Sequence, residues 1–174
     1  LAHALAKRLI ASAAIVVPVA LAHEQHLPGQ ASVSSAGAVI RPLADSSLRG
    51  LFALRAAALG LEWTVQLTGL MPGFYRLQIH EFGRCDSRDG STAGAVFDPN
   101  GAPQTSPTER AGALGTLYVD YRGVAEVGFR SEALSLGGGT NCVLGRSVLL
   151  LDQDGETRIG CGVIEERSGS PPGR

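Results

Sequence analysis

The chain has 174 residues, with 15 lysines and arginines against 16 acids and a formal net charge of −1. That balance removes any electrostatic case for nucleic acid or an anionic membrane surface as partner. Twenty-three glycines and only 5% aromatics favour short strands joined by tight turns over a helical bundle.

Residues 1–22 read LAHALAKRLIASAAIVVPVALA. Lys7-Arg8 precedes the apolar run from Leu9 to Val19, and Ala20-Leu21-Ala22 is a small-x-small site. This is the pattern of a cleaved secretory signal. The apolar run is too short to span a membrane comfortably, so no span is expected after cleavage. Residues 23–30 read as a flexible leader carrying His23 and His26. A single domain is expected over 31–166, and a disordered tail over 167–174.

Strand-like runs with turn signals between them follow in order. They cover 31–43, 48–56, 61–70, 74–82, 114–121, 124–130, 145–152 and 157–165. In the third, Leu61, Trp63, Val65 and Leu67 fall on one face. Residues 83–113 form a long polar segment rich in Gly, Pro, Ser and Asp, with no element of its own. A structureless stretch of that length inside a compact domain is functional or pinned by something. Eight short strands and no amphipathic helix predict an all-β fold, a sandwich or Greek-key barrel.

Three cysteines in an exported chain suggest one disulfide and one leftover thiol, and spacing alone does not pair them. Asp98-Pro99-Asn100-Gly101 is a turn signal. The glycines at 137–139 have no following lysine and make no phosphate loop. His80 is the only histidine within the strand-rich region, so nothing supplies a base for a nucleophile. The stretch GFYRLQIHEFGRCD places His80 at a strand end, with Gln78 two positions back on the same face.

Five ordered blocks carry a resemblance to a known family: LTGLMPGFYRLQIHEFGRC, STAGAVFDPNGAP, ERAGALGTLYVDYRGVAEV, NCVLGRSVLLLD and TRIGCGVIE. Together they resemble the copper/zinc superoxide dismutases over roughly 31–166. The resemblance implies an eight-stranded Greek-key β-barrel. It also implies a copper held by four histidines, one bridging to a zinc that two further histidines and an aspartate complete.

Those positions map one by one. The copper H-x-H pair is Gln78-Ile79-His80 here, and the bridging position before Phe97-Asp98-Pro99 is Val96. The zinc positions are Gln104, Arg110 and Ala113, and the last copper position is Leu151. Only His80 is retained. The whole chain has four histidines, His3, His23, His26 and His80, against the six the family's paired site uses. Valine, leucine and alanine offer no lone pair, and arginine brings a fixed positive charge. Glutamine is a poor substitute for imidazole toward copper or zinc.

The resemblance further pairs Cys85 with Cys161 and leaves Cys142 as a free thiol. It aligns Arg158 with the family's substrate-guiding arginine. Here Arg158 reads as structural, donating to backbone carbonyls of the long loop. The turn from Asp152 to Thr157 carries three acids, which would repel an anionic substrate. No catalytic residue and no cofactor is expected. His80 reads as a hydrogen-bonded structural residue. The expected role is structural or binding, in the periplasm or outside the cell, as a monomer or homodimer with an unidentified protein partner. The alternative is weak copper binding or delivery through His80 or the His23/His26 arm. An active dismutase is the least expected reading.

Overall fold

A computed structural model describes residues 33–44, 46–101 and 110–167. The expected signal (1–22), the leader (23–30) with His23 and His26, Gln104, and the tail from 168 lie outside the described residues.

The described chain is all-β. Its strands are β1 (Ser35–Pro42), β2 (Arg49–Ala56), β3 (Leu61–Thr68), β4 (Gly73–His80), β5 (Ala113–Val119), β6 (Val124–Ser131), β7 (Ser147–Leu151), β8 (Arg158–Val163) and β9 (Glu165–Glu166). The pairing order is β5-β4-β7-β8-β1-β2-β3-β6, with the two-residue β9 beside β1. Every strand pair is antiparallel. The β3–β4 and β6–β7 connections run between strands that are not neighbours, which is Greek-key connectivity. The eight longer strands make a nearly closed barrel. They fall where the sequence pattern places them, and β9 is a short continuation of the eighth run rather than a separate prediction.

Period two explains most of the core. On β3, Leu61, Trp63, Val65 and Leu67 are buried, while Thr64, Gln66 and Thr68 are exposed. Phe52 of β2 lies opposite Val65 and packs its ring 5.8 Å from that of Trp63. At the β2–β3 turn, Gly60 has φ 74°, and a Cβ there would lie 2.0 Å from the Ser131 carbonyl oxygen. Only glycine fits that turn.

β7 departs from alternation, and the departure locates the site. All five residues of SVLLL are buried. Val148 and Leu150 belong to the main core inside the barrel. Leu149 and Leu151 face outward into a second apolar cluster with Ala93 and Cys161. A strand buried on both faces needs a cover on its outer side. Ala93 belongs to a 3-10 turn at Ser91–Ala93, within the long segment after β4. That segment was expected to lack structure. Between residues 83 and 101 it instead carries this turn and an antiparallel bridge from Val96 to His80.

Phe52→Ala should cost about 3–5 kcal/mol, the range for emptying a fully buried aromatic site. Phe74→Ala, at an exposed position, should stay within about 0.5 kcal/mol of wild type. Chemical denaturation monitored by Trp63 fluorescence checks both.

Candidate functional site

The site is the outer face of β4, β7 and β8 beneath the loop. On β4, Tyr75, Leu77 and Ile79 point into the core. Gln78 and His80 therefore share the opposite face. Gln78 is half-buried, and His80 is 1% exposed. A bulge between Leu77 and Gln78 shifts the β4–β5 register, so that Gln78 pairs with Ala113.

Backbone bonds lay the loop onto the strand. The Phe97 amide donates to the Ile79 carbonyl at 2.8 Å, and the Ile79 amide donates to that of Gly112 at 2.8 Å. The Glu81 and Phe82 amides donate to the carbonyls of Ala95 and Ala93, at 3.0 and 2.9 Å. Arg146 adds a side-chain anchor. Its Nη1 donates to the Glu81 carbonyl and its Nε to that of Cys142, both at 2.8 Å. Its guanidinium carbon lies 3.6 Å from the centroid of the Phe97 ring. The Ser147 hydroxyl donates to the Phe82 carbonyl at 2.7 Å.

Two further ties reach the centre of the loop. A disulfide joins Cys85 to Cys161, and Cys142 is free. Arg158 donates from Nη1 to the Gly90 carbonyl at 2.9 Å and from Nη2 to that of Gly94 at 3.3 Å. Gly94 also receives His80, whose Nδ1 lies 2.9 Å from the same oxygen. The other ring nitrogen, Nε2, lies 3.2 Å from the side-chain oxygen Oε1 of Gln78. Burial lowers the His80 pKa below its ordinary value of 6.5, and the nearby Arg158 charge acts in the same direction. The Gly94 hydrogen bond and the Glu81 carboxylate oppose this shift.

The sequence-matched positions do not converge into a donor set. Val96 bridges to His80 through its backbone, and its side chain offers no lone pair. Ala113 stands opposite Gln78 on β5, and Arg110 is half-buried just before that strand. Leu151 is buried in the outer apolar cluster. No group of three or more His, Cys, Asp or Glu able to hold a metal occurs among the described residues. One imidazole with both nitrogens engaged, flanked by apolar side chains and an arginine, does not fit a copper–zinc pair.

The acidic turn before β8 also has a structural use. Asp154 accepts from the amides of Glu156 and Thr157 at 2.8 and 2.9 Å, which holds its pKa below the ordinary 3.8 together with the Thr157 hydroxyl. Gln153 reaches the Pro72 carbonyl and the Tyr75 hydroxyl, each at 3.4 Å. Sequence reasoning missed Arg146, Ser147, Gly90 and Gly94. Arg146 and Ser147 donate to backbone carbonyls, and Gly90 and Gly94 supply the carbonyls that Arg158 and His80 reach, which no residue type announces. Leu149 was detectable as one of three consecutive leucines in β7.

An antiparallel Greek-key barrel whose outer face, beneath a long loop, is furnished with hydrogen bonds and leucines defines the class. The chain belongs to the copper/zinc superoxide dismutase (SODC) family, whose family model matches residues 50–164. Superoxide dismutase 3 of the copper–zinc type from Arabidopsis thaliana is 31% identical over 121 residues, 58% of this chain and 72% of that protein. Its counterpart 2 from Mesembryanthemum crystallinum is 39% identical over 102 residues, 55% of this chain and 62% of that protein. Among solved structures, the clock protein EA4 aligns with a TM-score of 0.67 at 22% identity, over 80% of this chain and 98% of that one. At that identity the likeness speaks for the fold.

Two outcomes follow from the geometry. A histidine whose pKa is lowered on folding leaves stability full above about pH 6.5 and erodes it as pH falls toward the folded value. Urea midpoints should therefore decline on acidification below about pH 6.5, and His80→Asn should flatten that segment of the profile. Cys85→Ser/Cys161→Ser removes a cross-link spanning 76 residues of sequence and should cost about 2–5 kcal/mol by the same measurement.

Proposed function

We propose that this chain is a non-catalytic member of its family, an exported barrel that binds neither copper nor zinc and turns over no superoxide. The observation that carries this reading is His80. It is the one imidazole among the described residues, and both of its nitrogens contact protein groups. The replacements at Val96, Arg110, Ala113 and Leu151 support it, because none can complete a coordination shell. With no metal to serve, the barrel's role is structural or binding, through a protein partner.

Export is supported by two independent features. The N-terminus has a basic, apolar and small-residue order typical of secretory signals. A disulfide persists in oxidising compartments and is rare in the cytosol. No helix of the described residues is long and apolar enough to cross a membrane.

The test is elemental analysis of the purified protein after exposure to copper and zinc, with superoxide turnover assayed on the same sample. Metal well below one equivalent and turnover no faster than buffer are expected. Stoichiometric metal with turnover would overthrow the reading. One tightly held copper without turnover would replace it with copper binding. Loss of that copper in His80→Ala, or on removal of residues 23–26, would then name the ligand.

A further inference from the structure

The chain has two asparagines, Asn100 and Asn141. Asn100 precedes a glycine, and Asn141 precedes Cys142. A side-chain amide carbonyl is an electrophile, and the backbone nitrogen of the next residue can close a five-membered ring on it. That reaction is held back by bonds that fix the side chain, by bonds that occupy the next amide, and by a Cβ on the next residue. At Asn141 all of these are present. Thr140 Oγ1 donates to its Oδ1 at 3.1 Å, the Cys142 amide donates to the Gly139 carbonyl at 3.3 Å, and Cys142 carries a Cβ. At Asn100 none of them is. Asn100 and Gly101 are both exposed. Among the described residues, neither the Asn100 side chain nor the Gly101 amide has a hydrogen-bond partner. Gly101 has φ 66°, and no described atom lies within 4 Å of where a Cβ would stand. The Asp89–Gly90 and Asp154–Gly155 pairs share the glycine but not the freedom. The Gly90 amide donates to the Ser87 carbonyl at 3.2 Å, and the Gly155 amide to that of Asp152 at 2.8 Å. Both carboxylates accept from backbone amides, Asp89 from Ser91 at 3.0 Å and Asp154 from Glu156 at 2.8 Å. An ionised carboxylate is also a poor electrophile.

We infer that Asn100 is a self-modification site, at which the Gly101 nitrogen displaces ammonia and water then leaves an aspartate or isoaspartate in the loop. Hydroxide takes the proton of the Gly101 amide, and the nitrogen attacks Cγ of Asn100. The new N–Cγ bond replaces the bond from Cγ to the side-chain nitrogen, which leaves as ammonia after taking up a proton from water. The product is a cyclic imide. Water opens it at either carbonyl. Opening at the side-chain carbonyl gives aspartate, and opening at the main-chain carbonyl gives isoaspartate, with one more methylene in the backbone. The sum is one water consumed and one ammonia released, with no electrons transferred. The formal net charge of −1 becomes more negative by one. The changed residue lies three positions after Phe97, whose amide ties the loop to Ile79. The step is independent of the metal-free reading.

The test incubates the folded full chain at neutral and mildly alkaline pH and follows its peptides by mass spectrometry. Asn100 should gain one dalton in ordinary water and three in heavy-oxygen water, while Asn141 stays an amide. The rate should rise in proportion to hydroxide. Fragmentation that separates isoaspartate from aspartate should find both at position 100. Isoelectric focusing should show a more acidic band growing at the same rate. Gly101→Ala should slow the conversion by about tenfold, because a Cβ crowds the attacking nitrogen. Asn100→Gln, which cannot close the five-membered ring, should form no isoaspartate. An Asn100 that remains an amide in the folded chain would overturn the inference, whatever the urea-unfolded chain does. Conversion to aspartate alone would overturn the ring closure. Equal conversion at Asn141 would overturn the selectivity argued from the structure. The two asparagines are compared within the wild-type chain, so a variant that fails to fold does not remove the test.

Discussion

The Gly94 carbonyl is where the loop and the barrel are held together. Two donors from different strands meet on it, the His80 ring from β4 and the Arg158 guanidinium from β8. The residue has φ 80° and ψ −153°, a conformation open to glycine, and a Cβ there would lie 2.7 Å from the Phe82 ring. Without the cover that it helps to hold, the outward leucines of β7 and the His80 ring would face water. With it, β7 is buried on both sides and Ala93 seals the outer cluster.

The replacements make physical sense as a set. A buried imidazole nitrogen left without a partner costs about 1–3 kcal/mol. An apolar residue at position 78 would impose that cost on Nε2, whereas an amide relieves it. At position 151 the demand is the opposite. The side chain there lies among Leu149, Ala93 and Cys161, and a polar group would be desolvated with no donor or acceptor in that cluster to meet it. Leucine fits. Positions 78 and 151 thus each suit their local surroundings, polar beside His80 and apolar beside the disulfide.

Much of the barrel was legible because period two is a strong signal. The alternation of β3 reads straight from Leu61, Trp63, Val65 and Leu67. β9 was not legible, since two glutamates at an edge carry no pattern. The 3-10 turn of the loop was not legible because its residues are polar and turn-forming. Its order comes from bonds to backbone carbonyls made by Arg146, Ser147 and Arg158, each distant in sequence from its partner. Gln78 was legible as sharing a face with His80, but the burial of the ring and the Gly94 acceptor needed the structure.

The barrel can be separated from metal chemistry because the strand pleat insulates one from the other. Ile79 sits between Gln78 and His80 and points into the main core, while its neighbours point out. Val148 and Leu150 alternate with Leu149 and Leu151 in the same way. Substitutions at ligand positions therefore change the outer layer and leave the inner packing untouched. The inner layer carries the large apolar burial that dominates folding. The outer layer needs only enough ties to keep its cover in place, and a disulfide, two arginines and one histidine supply them. That division is why the architecture of such a fold does not depend on the residues at its pole, and why function must be argued from the pole and not from the barrel.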